Sequence, residues 1–99
     1  MANNKQFRIR RALVRTLYDY RCGQDLQTVL CSPEILLENP SAEAAFSEWS
    51  VLIEAGLLIP LPGYDHSVCT LNAEIRRDMD ARHGALPPHP VLFGHKVIG

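Results

Sequence analysis

The chain has 99 residues, of which 46% are hydrophobic and 21% are charged, and its formal net charge is −1 at pH 7. A chain of this length forms one domain at most, because smaller units would each bury too little apolar surface. No apolar run approaches the roughly 20 residues that a membrane span needs, and arginines interrupt the N-terminal segment where a signal peptide would be apolar. We therefore expect a soluble, cytoplasmic protein with no membrane partner.

The small net charge hides a strong separation of charge along the chain. Residues 1–21 contain six Lys or Arg and one Asp, a balance of +5. Residues 22–75 contain eight Asp or Glu and no Lys or Arg, a balance of −8. This separation within one small domain predicts surfaces of opposite sign, and such surfaces influence which partners a protein binds.

Apolar residues three and four positions apart predict a first amphipathic helix over residues 5–21, ending before Gly23. Its apolar positions are Ile9, Ala12, Leu13, Thr16, Leu17 and Tyr20. Its outer side carries a basic stripe made of Arg8, Arg11 and Arg15. Arg15 precedes Asp19 by four residues, a spacing that favours an ion pair on a helix.

Two short helices are expected next, over residues 26–30 and 34–39. Asp25 suits the N-cap of the first. Ser32 suits the N-cap of the second, because Pro33 then occupies the first helical position.

A longer helix, which we call the third helix, is predicted over residues 42–55, with Asn39 or Ser41 as its cap and Gly56 as its end. The side expected to be buried consists of Ala42, Ala45, Phe46, Trp49, Leu52 and Ile53. The side expected to face away carries Glu43, Ser47, Ser50 and Glu54.

The segments "LLIPL" and "SVCTL" predict two short strands around the turn "PGYDH". The first strand should lie at a sheet edge or be very short, because Pro60 and Pro62 have no backbone N–H to donate. Asn72 can cap a fourth helix over residues 73–84, within which Arg76 precedes Asp80 by four residues. The remaining tail is predicted to be non-helical, and its apolar residues should pack on its own domain or on a neighbour.

The phrases "WSVLIEAGLLIPL" and "VCTLNAEIRRDM" resemble the winged helix-turn-helix superfamily, and the likeness extends over roughly residues 5–83. The resemblance implies an α+β fold with a mainly helical three-helix core, a two-stranded β-hairpin wing and a C-terminal fourth helix. It implies a winged-helix domain over residues 1–83, followed by an extended, Pro-containing apolar tail over residues 84–99.

In that family the third helix reads the major groove of DNA and the wing touches the adjacent backbone. The matching helix positions are Glu43, Ala44, Ser47, Glu48, Ser50, Val51 and Glu54, and the wing positions are Gly63, Tyr64, Asp65 and His66. None of these residues is Lys or Arg. A carboxylate ~4 Å from a phosphate costs about 1 kcal/mol in water and about 4 kcal/mol at a partly desolvated surface. DNA docking on this face is therefore disfavoured.

Two binding functions remain open. In the first, the chain is a protein-interaction module whose partner is another protein or a second copy, which would give a dimer or a larger assembly. Its candidate residues are Glu43, Ser47, Glu48, Ser50, Glu54 and Tyr64. In the second, the chain is a DNA-binding regulator that contacts the DNA backbone through another surface. Its candidate residues are Arg8, Arg11, Arg15, Arg76 and Arg77, joined by Arg82.

Neither an enzyme nor a cofactor site is expected from the motifs. His66 and Cys69 are three residues apart, but the three cysteines, Cys22, Cys31 and Cys69, match no usual zinc spacing and imply no disulfide framework. No Gly-rich phosphate loop is present, and no base can be assigned to a cysteine nucleophile.

Overall fold

The structure, a computed structural model, describes residues 2–94 and shows an α+β fold with six helices and one small antiparallel sheet in that range. This fold class agrees with the prediction. The elements in chain order are α1 (Asn4–Asp19), β1 (Gln24–Asp25), α2 (Leu26–Val29), α3 (Pro33–Glu38), α4 (Ala42–Glu54), β2 (Leu58–Pro60), β3 (Val68–Leu71), α5 (Ala73–Ala81) and α6 (Pro90–Phe93). None of the described helices combines the length and apolar character needed to cross a membrane.

Polar side chains start most of the helices, and three of these caps were predicted. Asp25, Ser41 and Asn72 each accept hydrogen bonds from backbone N–H groups in the first turn that follows them. Ser32 occupies the N-cap position of α3, but its hydroxyl donates back to the carbonyl of Val29 and makes no cap bond. Helix α1 begins with a capping box between Asn3 and Gln6, which satisfies N–H groups at its N-terminus.

The sheet has three strands in the order β1-β3-β2, so β2 lies at an edge as its prolines predicted. Residues Leu58 and Leu71 are paired across β2 and β3. The prediction of a two-stranded hairpin missed β1, which pairs Gln24 with Cys69 on the other side of β3. Helix α4 ends at Glu54, and Gly56 follows its C-cap with a φ of 82°, which is readily adopted only by glycine.

The core lies between α1, α4 and the inner side of the sheet. Trp49 is fully buried there, as predicted, whereas Phe46 is 52% exposed. The prediction that Phe46 and Ala42 are buried is therefore wrong. The two residues lie one turn apart at the margin of the apolar stripe of α4, while Ala45, Trp49 and Leu52 occupy its centre and are covered.

The tail packs on its own domain, and part of it is helical, which corrects the expectation of a non-helical tail. Leu92 of α6 is fully buried against the core. Arg10 and Arg11 of α1 donate hydrogen bonds to the carbonyl oxygens of Val91 and Leu92, at 3.0 and 2.7 Å. Residues 95–99 of the predicted tail lie outside the described residues.

A buried ion pair joins α1 to α4. The Nε of Arg10 lies 2.9 Å from Oε1 of Glu48, and the side chains are only 9% and 3% exposed. Gln6 donates to the second carboxylate oxygen of Glu48 at 3.3 Å. Since Arg10 also holds Val91, this one guanidinium connects α1, α4 and α6.

Replacing Glu48 by glutamine should destabilise the fold, because Arg10 would stay charged and buried without its carboxylate. We expect Glu48→Gln to lower the free energy of unfolding by about 3 kcal/mol. Urea denaturation followed by circular dichroism measures the change. The control Glu43→Gln alters an exposed carboxylate on the same helix and should change stability by less than about 0.5 kcal/mol. Equal effects of the two substitutions would contradict a special role for the buried pair.

The two aromatic residues of α4 should respond differently to truncation. Trp49→Ala should cost roughly 3–5 kcal/mol, because it leaves a cavity in the core. Phe46→Ala should cost less than about 1 kcal/mol, since half of that ring already contacts solvent. Thermal or urea unfolding of both variants measures the two losses of stability. Equal losses would show that the burial of Trp49 or the exposure of Phe46 is wrongly assigned.

Candidate protein-interaction surfaces

The outer side of α4 forms an exposed acidic and aromatic surface, which we call the α4 face. Its members are Glu43, Phe46, Ser47, Ser50 and Glu54, spaced three and four residues apart so that they lie on one side of the helix. All are exposed except Ser50, which is half-buried and donates to the carbonyl of Phe46. Helix α4 contains no Lys or Arg. The helical spacing predicted the polar members of this face and wrongly placed Phe46 in the core.

The other two predicted interaction residues lie elsewhere. Glu48 is 2% exposed and its carboxylate is bound by Arg10 and Gln6, so it is not part of the α4 face. Tyr64 is exposed in the turn between β2 and β3. The Trp49 indole N–H donates to the carbonyl of His66 at 2.8 Å, which ties this turn to α4.

An apolar hollow lies between the end of α2, α3 and the start of α4. Its lining includes Leu30, Leu36, Pro40 and Ala42. Leu36 is 63% exposed, and Phe46 follows Ala42 by one helical turn. Leu36, Ala42 and Phe46 thus form a line of exposed apolar residues beside Glu43, which we call the apolar strip.

A groove of about 590 Å³ lies on the other side of Glu43, between the first turns of α1 and α4. Lys5 and Glu43 line it together with Ser47, and Ile9 and Glu48 belong to its lining as well. Its charges are mixed. Lys5 is thus a cation close to the α4 face.

The basic stripe predicted on the first helix is present and lines a second groove, between α1 and α3. This α1–α3 groove has a volume of about 230 Å³. It is lined by Arg8, Arg11, Ala12, Arg15, Glu34, Leu37 and Glu38. Arg8 lies 3.0 Å from the carboxylate of Glu38, and Leu37 is 84% exposed. The three arginines therefore surround the most exposed of the large apolar side chains in the described structure.

Arg76 has a structural role at the other end of α1. Its guanidinium donates to the carbonyl oxygens of Leu17, Tyr18 and Tyr20, and so it caps the C-terminus of the helix with positive charge. Arg77 is exposed. Arg76 is therefore not available for a phosphate in the way that the DNA-binding alternative assumed.

The predicted intrahelical ion pairs are replaced by other contacts. Among residues 2–94, neither Arg15 with Asp19 nor Arg76 with Asp80 forms an ion pair. The carboxylate of Asp80 instead accepts a hydrogen bond from the Tyr18 hydroxyl, which raises the pKa of Tyr18 above its usual value. In α5 the observed pair joins Arg82 to Asp78, at 3.0 Å.

The cysteines and histidines do not assemble into a metal centre in the described part of the chain. No three His, Cys, Asp or Glu side chains come together there in a group that could hold a metal ion. Cys69 lies in β3 within the core, where burial raises the pKa of its thiol to about 11. Its Sγ donates to the carbonyl of His66, so that thiol is held as a neutral core group.

Comparison with known proteins finds no relative of this chain. The sequence matches no protein-family model, no curated protein and no solved structure.

Proposed function

We propose that this chain is a non-enzymatic winged-helix binding module whose α4 face docks another protein chain. The order of elements supports the family proposal: a long helix, two short helices, a second long helix, a glycine and then a β-hairpin. In this interpretation α4 corresponds to the helix that the family uses for recognition. The hairpin formed by β2 and β3 corresponds to the wing, with Tyr64 in its turn.

The observation that carries the proposal is the exposure of Phe46 between carboxylates. A half-exposed phenylalanine is costly to leave in water, since each Å² of exposed apolar surface costs about 25 cal/mol. Aromatic residues are enriched at the centres of protein–protein interfaces, where charged residues form the rim. Phe46 flanked by Glu43 and Glu54 has this arrangement.

Electrostatics favours a protein partner over DNA on this surface. Non-specific affinity for DNA comes almost entirely from Lys and Arg neutralising phosphates, and α4 has neither. The alternative DNA surface on α1 and α5 is also weakened, because Arg76 binds carbonyl oxygens and Arg8 pairs with Glu38. A basic partner segment would instead be attracted to Glu43 and Glu54.

A photo-crosslinking residue on the α4 face tests the proposal. Placed at Ser47, which is exposed beside Phe46, it should give a discrete protein adduct in the cells that make the chain. The same residue placed at Gln27, exposed on α2, is the matched control and should give no such adduct. Adding Phe46→Ser to the Ser47 variant should abolish the adduct, because it removes the proposed apolar anchor. An adduct that survives this substitution, or none above the control, contradicts the proposal.

Titration with random-sequence duplex DNA at low ionic strength provides the opposing measurement. The proposal predicts weak binding or none. Tight binding that falls steeply with salt, and that is lost in a variant carrying Arg15→Ala and Arg77→Ala, would favour the DNA-binding alternative.

A further inference from the structure

We propose that the chain assembles with copies of itself from head to tail, with the α4 face and apolar strip of one copy docked in the α1–α3 groove of the next. This inference rests on the proposed protein-docking function and specifies the partner. Both surfaces combine exposed apolar side chains with charge, and the charges are of opposite sign.

The receiving surface is the α1–α3 groove. Its three guanidinium groups outnumber the two carboxylates of Glu34 and Glu38, which leaves one positive charge in excess. Arg8 is held by Glu38, and Arg11 is held by the carbonyl of Leu92. Since these side chains are already fixed in place, less side-chain entropy is lost when a partner binds to them.

The inserted surface is the α4 face with the apolar strip. Phe46 is 52% exposed and lies one helical turn from Glu43, and Leu36 is 63% exposed. Glu43 and Glu54 contribute two negative charges. Lys5, which lines the groove between the first turns of α1 and α4, offsets part of that charge. The surface therefore offers apolar side chains for contact with Leu37 and carboxylates for contact with Arg15.

The presence of both surfaces on one chain identifies a second copy as the partner. The α1–α3 groove shares no residue with the α4 face or the apolar strip, so the two contacts use separate side chains of one copy. Leu36 and Leu37 are consecutive in α3 and line different hollows, so this short helix contributes to both contacts. A contact between two different surfaces is heterologous, and it continues to further copies unless it closes into a ring.

Two variants with one disabled surface each provide the test. Leu37→Ser with Arg15→Gln disables the groove, and Phe46→Ser with Glu54→Gln disables the inserted surface. All four residues are exposed, so the variants should fold, and circular dichroism verifies this. Sedimentation velocity then measures mass over a wide range of concentration at low ionic strength.

The wild-type chain should form species larger than a dimer as concentration rises, and these should weaken in about 1 M salt, where surface charges are screened. Each variant alone should sediment as the 11.1 kDa monomer. An equimolar mixture should form a 1:1 dimer that grows no further, because each variant retains the surface that the other lacks. The control Arg77→Glu reverses an exposed charge outside both surfaces and should associate like the wild type.

Three outcomes would overturn head-to-tail assembly: a wild-type chain that stays monomeric, a variant that self-associates, or a mixture that stays monomeric while the wild type associates. A monomeric wild type that still forms an adduct with a different protein from position 47 would leave the proposed docking function standing. A monomeric wild type without any adduct would remove both proposals.

Discussion

The buried ion pair between Arg10 and Glu48 constrains how the helices pack. Removing two charges from water is costly, and the cost is offset only if the charges meet each other and their remaining polar atoms find partners. Here Gln6 and the carbonyl of Val91 supply those partners. Sliding α1 along α4 by one turn would separate the charges, so the pair fixes the relative position of the two helices. Through the hydrogen bond from Arg10 to Val91, it also attaches α6 to these two helices.

Local sequence patterns predicted the parts of the fold that depend on neighbouring residues. The caps Asp25, Ser41 and Asn72 and the glycine after α4 are such features, because each acts within one turn. Strand β1 could not be predicted in this way, since its two polar residues form a strand only through pairing with β3, more than forty positions later. The turn of α6 does have local signals that the prediction missed, namely the His89 cap, Pro90 at the first position and Gly94 at the end. Guanidinium groups of the distant α1 also bind its carbonyl oxygens.

The candidate surfaces were predicted in part for a related reason. Periodicity placed Phe46 and Trp49 on one apolar stripe, but only the packing of α1 and the sheet decides which residues of that stripe are covered. The family resemblance placed Glu48 among the contact residues, although its carboxylate lies between Gln6 and Arg10. Charge counts overstated the basic surface, because Arg10 and Arg76 hold backbone carbonyl oxygens. The stripe of Arg8, Arg11 and Arg15 was correctly located.

The hydrogen bond between the Trp49 indole and the carbonyl of His66 makes Trp49 an intrinsic fluorescence probe of the hairpin. Trp49 is the only tryptophan of the sequence, so the indole emission of the protein comes from one ring. That ring is enclosed by the core, and its N–H is fixed to His66 in the turn that carries Tyr64. Movement of the hairpin tip away from α4 would break this bond and let water approach the indole. The emission wavelength and the quenching of Trp49 fluorescence therefore report the position of the hairpin without any added label.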